Sequence, residues 1–568
     1  MATKSYWQQF QRQRIPRRRL LAGAGMGAAG LAVFAACDDK KEPSGNQTPG
    51  PSDGGEPQVG GRYIYAITGD WGTIDPVTSV AFGPGIFGDI YNCLVDRART
   101  KPEYFYFDLA ESYEVVDDST YLFAIRPGVK IAPNTLGIEE RDLDATDAKV
   151  WLDRVLADEA AVLRGFTNQW YDSHTIPDPQ HFQIKTKGPY AYFLFRIGPP
   201  LGGCIPPREF YEQNLDIKAQ GVGAGPHAVI AAGSYSNTGG VILQRNPNYY
   251  RQDAEGRPLP YLDEKEAVRI SDRQPRRTAF IDQQIHSYGA ENRDEVDQLE
   301  SQISGLLTDE EPANTFISLT MNPEKAPWDN ENVRKAALHA LDRQQYVDLI
   351  VGPEGGQTNG LVHWSVGDFA LPPEELETLQ SYDPEMSKQL IQEGTGNDRI
   401  TIKIIYPISD IEFHDKHLPI FRQQMNAAGF DLDEVPQDFT TWLSDYQTLN
   451  YDASLSLNQI YETAEIPIDF QAAAGPQGDR NFAIGIGGLY PEIEAAISAS
   501  KQATDPAEHI QRVQEVQRMV YDKGPAFLPI MTWTAFTCYH PFVKNVPQGY
   551  GGTGQYLENE IWLDQAAM

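Results

Sequence analysis

Residues 505–533 read DPAEHIQRVQEVQRMVYDKGPAFLPIMTW, a helix, its stop and a strand in immediate succession. Asp505 is an N-cap, Pro506 takes the first helical position and Glu508 has capping-box spacing. Ile510, Val513, Val516 and Val520 mark one face, and Lys523-Gly524-Pro525 ends the helix. A β-rich run, 526–533, follows at once. A helix feeding directly into a strand is the pattern of an α/β domain.

The same alternation extends toward the N-terminus. A helix is predicted over 330–349, with Val333, Ala337 and Leu341 in register. Another is predicted from Asp415, with Leu418, Phe421, Met425 and Ala428 on one side and Gly429 as its stop. Strands are expected at 63–67, 121–125, 241–244, 316–321, 400–406 and 453–457. Together they predict an α/β fold with more than one sheet and no internal repeat.

The N-terminus reads as an export signal. Arg12, Arg14 and Arg17-Arg18-Arg19 precede an apolar run that ends at Phe34-Ala35-Ala36-Cys37. Arg17-Arg18-Arg19-Leu20-Leu21 fits the twin-arginine form. Small residues before Cys37 resemble a lipobox, which implies cleavage after residue 36 and a diacylglycerol on the Cys37 sulfur. A single spanning anchor is the alternative, but the 17-residue run sits at the low edge of spanning length. Residues 37–61 hold almost nothing that can be buried and read as a flexible tether.

Net charge is −32, and loss of the six basic residues of the signal lowers it to −38. Such acidity argues against nucleic acid, which needs a basic surface. Cys93, Cys204 and Cys538 remain in the body; export permits a disulfide, but the sequence leaves their pairing open. His414-Asp415-Lys416-His417 offers ligand types at i and i+3 without a third ligand nearby, so neither a metal nor another cofactor is expected. The chain has no nucleophile elbow, zinc-protease motif or P-loop, and it is not expected to be an enzyme.

With these elements placed, the chain resembles the peptide/nickel-type extracellular solute-binding proteins (family 5) of ABC importers. The matching pieces occur in order. They are Thr73-Ile74-Asp75-Pro76 with Ile90–Val95, Asp108–Ser112 with Arg126–Lys130, and Leu143–Ala148. Gly223-Ala224-Gly225-Pro226-His227, Arg245–Tyr250 and Pro260–Asp263 form the most specific stretch. Ser318–Asn322, Pro327-Trp328, Asn332–Ala336 and Ala340–Arg343 follow. The resemblance implies a two-lobe periplasmic-binding-protein fold of type II (cluster C). Lobe I is expected over 62–315 and 534–568, with an inserted subdomain at about 98–228, and lobe II over 316–533. Two chain crossings between lobes make a hinge that opens without unfolding either half.

The resemblance also implies the ligand-facing residues. Ser79, Val80, Ala81 and Phe82 match the segment whose backbone meets the ligand. Trp442 matches a cleft tryptophan, and Tyr406 ends a strand where ligand-facing groups occur. Glu462 is the choice for the carboxylate that receives an α-ammonium, with Tyr461 in that place if the alignment shifts by one. Trp71, Trp364 and Trp533 are further cleft candidates, with burial as structural tryptophans the equal alternative. The implied function is a monomeric, lipid-anchored receptor in the cell envelope that delivers an oligopeptide-like solute to a permease and its ATPase. An oligosaccharide or other non-peptide solute is the alternative, and a secreted hydrolase the third.

Overall fold

The computed structural model describes residues 55–69, 74–78, 84–97, 105–198, 202–218, 220–236, 239–352, 355–408, 411–459, 468, 485–546 and 557–568. The expected strands all form. In the first sheet, β1 (Arg62–Ile67) pairs in parallel with β12 (Glu264–Arg269), followed by β11 (Val241–Gln244) and β10 (Val229–Ile230). Beneath it lies α1 (Pro84–Ile90), whose Ile86, Phe87 and Ile90 pack with Val241 and Leu243.

The glycine-rich motif fastens α1 in place. A Cβ on Gly223 would lie 2.0 Å from the Ile90 carbonyl oxygen, and one on Gly225 2.4 Å from that of Asp89. Only glycine permits that approach. It lets the Gly225 and His227 amides donate to the carbonyls of Ile90 and Asp89, at 3.0 and 2.9 Å. Asn246 Nδ2 then donates to the Gly225 carbonyl at 3.0 Å, and Arg245 donates to the carbonyls of Pro260 and Tyr261. The most family-specific residues therefore hold the scaffold together.

A separate antiparallel sheet, β5 (Ala110–Asp117), β6 (Thr120–Ile125), β8 (His181–Thr186) and β7 (Tyr171–Asp178), is covered by α2 (Ala145–Ala157). Tyr121, Phe123 and Ile125 alternate inward, as a half-buried strand requires, and meet Trp151, Leu152 and Val155 of α2. Asp144 caps α2 and Asp147 returns to the Asp144 amide, closing a capping box. Two small ladders frame this layer: β2 (Asn92–Cys93) with β9 (Cys204–Ile205), and β3 (Val95–Arg97) with β4 (Phe105–Phe107).

The largest sheet has the order β13 (Ser287–Ala290), β19 (Phe527–Tyr539), β14 (Leu307–Met321), β18 (Ala453–Gln459), β16 (Ile400–Pro407) and β17 (Phe430–Gln437). A seventh strand, β15 (Gly356–Thr358), also pairs with β19. Strands β14 and β19 are antiparallel partners with a register break between Pro312 and Phe316. Above the break they lie beside β13; below it β18 joins the other edge of β14. The Thr532 hydroxyl spans the break, donating to the Thr315 carbonyl at 2.8 Å. After β19 the chain returns to the first sheet, where β20 (Val543–Lys544) pairs with β21 (Trp562–Leu563).

Four local readings change. The helix expected over 330–349 is two, α3 (Glu331–His339) and α4 (Arg343–Ile350), because Asp342 caps the second by accepting from the Gln345 amide at 3.0 Å. Glu508 does not return to its cap. Asp505 receives the Ala507 and Glu508 amides, while the Glu508 carboxylate pairs with Arg512. The strand expected to end at 533 continues to Tyr539, since its second half pairs with β14 above the break. The helix expected from Asp415 begins earlier, at Ile411.

Candidate functional site

The segment leading to Ser79 is fixed by Asp75. Its carboxylate accepts the Val77 amide at 3.0 Å, its carbonyl accepts the Thr78 amide, and the Val77 carbonyl accepts the Val162 amide at 2.9 Å. Asp75 is buried, and that burial raises its carboxyl pKa against the pull of the Val77 amide and Arg154. Ser79, Val80, Ala81 and Phe82 lie outside the described residues, as does Trp71; the chain resumes at Pro84 with α1.

On the other side, β18 ends at Gln459 paired with Thr315, beside the register break. The chain thus leaves the large sheet at the point where β14 and β19 pass between the two groups of strands. Tyr461 and Glu462 follow, and both lie outside the described residues. So does Cys37.

Trp442 and Tyr406 are described, and the sheet separates them. Trp442, on α7 (Phe439–Gln447 in the series α5 Pro384–Thr395, α6 Ile411–Ala427), packs against Ile405, Phe316 and Phe527. Its indole Nε1 donates to Ser454 Oγ at 3.0 Å, and its ring stacks on Tyr446 at 5.1 Å. Tyr446 stacks in turn on Tyr451, and Phe439 leans on the other side of Trp442 with 49% of its surface exposed. Trp442 is therefore buried inside an aromatic ladder that ends in an open ring.

Tyr406 is one residue beyond Ile405, so its side chain takes the opposite face and joins the main core. Its hydroxyl donates to Glu434 at 3.0 Å, and Arg422 Nη2 holds the same oxygen at 2.7 Å. Arg422 lowers the Glu434 pKa, while burial and then Glu434 raise that of Tyr406. Trp364 and Trp533 are half-buried; Trp533 pairs with Gly356 one residue past Thr532. Trp533 and Thr532 thus sit at the register break. Nothing in local sequence points to Thr532, because a threonine within a β-rich run carries no signal of its own.

Contacts also form away from the strand pair. The Ala191 amide donates to the Lys501 carbonyl at 2.8 Å, the Tyr192 ring meets His509 edge-on at 4.6 Å, and Lys416 pairs with Glu291. These link the β5–β8 layer and the β13 region to α8 (Pro491–Gln502), α9 (Pro506–Asp522) and α6. Among the described residues no group of three or more metal-ligating side chains occurs, and no helix is long and apolar enough to cross a membrane.

This arrangement is the two-lobe α/β fold of periplasmic binding proteins, and solved structures match it along most of its length. The ABC transporter-associated periplasmic binding protein DppA from Helicobacter pylori, in complex with peptide STSA, superposes with a TM-score of 0.74 at 18% identity, covering 89% of this chain and 99% of its own. The PBP AgaA from A. tumefacien R10, in complex with agropinic acid, gives 0.74 at 17% identity with the same coverages. In sequence, the glutathione-binding protein GsiB of Salmonella paratyphi A is 25% identical over 495 residues, 82% of this chain and 88% of that protein. The profile of the bacterial extracellular solute-binding proteins, family 5 (middle region), matches residues 105–467. The chain belongs to that family.

Proposed function

We propose that this chain is the lipid-anchored receptor of an ABC importer, closing two lobes on an oligopeptide-like solute and presenting it to a membrane permease. The observation that carries the reading is the register break shared by β14 and β19, with β18 delivering its end to the same point opposite Thr315. Lobe I then comprises 62–315 and 534–568, with its insertion at about 98–228, and lobe II comprises 316–533. Residues 79–82 in the sequence of lobe I and Tyr461 or Glu462 in that of lobe II are the ligand-contacting residues of this reading. Backbone groups pair with an extended ligand, and a carboxylate at 462 receives its amine. Cys37 carries the lipid, and the twin-arginine segment directs export. A relative named for glutathione and a structural neighbour solved in complex with a peptide support this ligand class.

One observation favours a non-peptide solute. The exposed Phe439 ring at the end of the Trp442 ladder is a stacking surface that needs no amine, and a relative binds agropinic acid. Thermal-shift screening separates the readings. Peptides with a free amine are expected to raise the melting temperature, and N-acetylation or Glu462→Gln to abolish the rise. Stabilisation by oligosaccharides alone, unaffected by Glu462→Gln, would replace the peptide reading.

A further inference from the structure

Cys93 and Cys204 stand directly opposite each other in the β2–β9 ladder, with their sulfur atoms 3.4 Å apart. Both are buried, at 4% and 0% exposure, among Ile90, Tyr91 and Val241. The Cys93 amide donates to Asp108 Oδ2 at 2.9 Å, and its carbonyl accepts the Leu109 amide at 2.9 Å. Both backbone groups of Cys93 are therefore turned away from β9, which makes the pair a non-hydrogen-bonded one. Such pairs hold their Cα atoms about 4.5 Å apart, inside the range that a disulfide spans.

Cys538 has no part in this arrangement. It lies on β19 in another cluster, with Phe280, Tyr288 and Leu299, and its sulfur faces the Thr308 hydroxyl. Of the three body cysteines, two are poised together and one is set aside.

We infer that Cys93 and Cys204 are joined by a structural disulfide in the exported protein. A thiolate of the pair attacks a disulfide of the extracytoplasmic oxidant, protein or small molecule, to give a mixed disulfide. The second thiolate displaces the oxidant's sulfur, so one S–S bond forms here and one is reduced to two thiols there. The two cysteines lose two protons and two electrons; the oxidant gains both. The thiol–thiol hydrogen bond and then burial raise the Cys93 pKa, so the buried thiol is a poor nucleophile until this ladder opens to the oxidant.

The bridge closes a segment of 111 residues that contains β3 to β8, α2 and the whole inserted sheet. It ties the strand entering that layer to the strand leaving it, just after α1. Cross-linking a loop of this length restricts the unfolded chain strongly and stabilises the fold.

The test is to refold the full chain from guanidinium with oxidised glutathione, alkylate under denaturing conditions without reductant, and map the peptides. The expected result is a Cys93–Cys204 peptide lighter by two hydrogens than its parts, with Cys538 alkylated. Reduction should lower the melting temperature by roughly 5 °C, and the Cys93→Ala/Cys204→Ala protein should show no such response. Alkylation of both cysteines, a link from either to Cys37 or Cys538, or a bridged protein that melts no higher than the reduced one overturns the inference.

Discussion

The large sheet and the N-terminal layers bury their charges in opposite ways. Under the large sheet a single apolar core includes residues from Ile317 to Met531, and its two buried arginines, Arg334 and Arg343, donate mainly to backbone carbonyls. Arg334 is fully buried and donates to the carbonyls of Trp328, Lys523 and Gly524 at 2.7–2.9 Å. Arg343 donates to the Pro529 carbonyl and to those of Leu338, Leu341 and Gln380, and burial pushes its guanidinium down to about 10. These arginines supply donors to carbonyls in turns, at helix ends and within β19.

In the N-terminal layers the core is divided into smaller clusters, and carboxylates join them. Asp147, fully buried, holds Arg141 through both oxygens at 2.7 and 2.8 Å and also receives the Arg208 amide. Burial opposes the charge of Arg141, but its bonds to Asp147 and Glu209 outweigh it and raise its pKa. Lys265 bridges Asp89 at 2.8 Å to Glu558 at 3.0 Å, connecting α1, β12 and the C-terminal return. Burial disfavours its charge too, and the two carboxylates win. One region needs the shape of the guanidinium fork, the other its charge.

That contrast can be broken by exchange of shape for charge. Arg334→Met should cost the most, about 4 kcal/mol, because three buried carbonyls lose their donor. Arg334→Lys keeps the charge and should recover little of it; full recovery in denaturant unfolding would show that charge matters there. Asp147→Asn keeps the outline and removes the charge. It should cost about 3 kcal/mol by leaving Arg141 and Arg208 undercompensated, and a loss below about 1 kcal/mol would erase the distinction.

Acid supplies a third test. His286, buried between Tyr63 and Phe542, is held neutral: burial and then His540 push its pKa down to about 4. The unfolded chain binds its proton near pH 6.5, so stability falls as pH drops below 6.5 and levels off below 4. The loss from this residue is about 2 kcal/mol at pH 5. His363, pushed by burial down to about 3, gives the large-sheet region a slope of the same sign. His286→Gln should flatten the melting-temperature profile between pH 7 and 5 without abolishing it, and an unchanged profile would remove His286 from the account.

The smallest effect belongs to Glu434→Gln. Its partner Arg422 is half exposed, so solvent screens the pair and the expected cost is below about 1 kcal/mol, lost further in salt. The Glu434 pKa is lowered by Arg422, so this contribution is present above the ordinary glutamate pKa and disappears as pH falls through the lowered one. A cost as large as that of Asp147→Asn would mean that burial is not what separates the two regions.

Local pattern carried much of the architecture. The period-two burial of β6 and the cap, proline and valine face of α9 were legible because short-range sterics and hydrogen bonding set them. Pattern misjudged the face of α9 in detail: Ile510 is only half-buried, while Gln517 is fully buried and donates to the Phe369 carbonyl. A polar residue is placed inside by a partner distant in sequence, which no local window contains. The site was less legible. Trp442 and Tyr406 were both named, yet strand alternation at residues 405 and 406 sends them to opposite faces.

By itself the sequence determined the alternation of helices and strands, the caps and stops of several helices, and the acidity that argues against nucleic acid, since all of these depend on residue type and near neighbours. Only the tertiary structure decided that β14 and β19 break register at residues 313–315, that Thr532 spans the break, and that two cysteines separated by 111 residues face each other. Those facts depend on which strands lie side by side, and strand pairing over long separations is set by how the whole core closes.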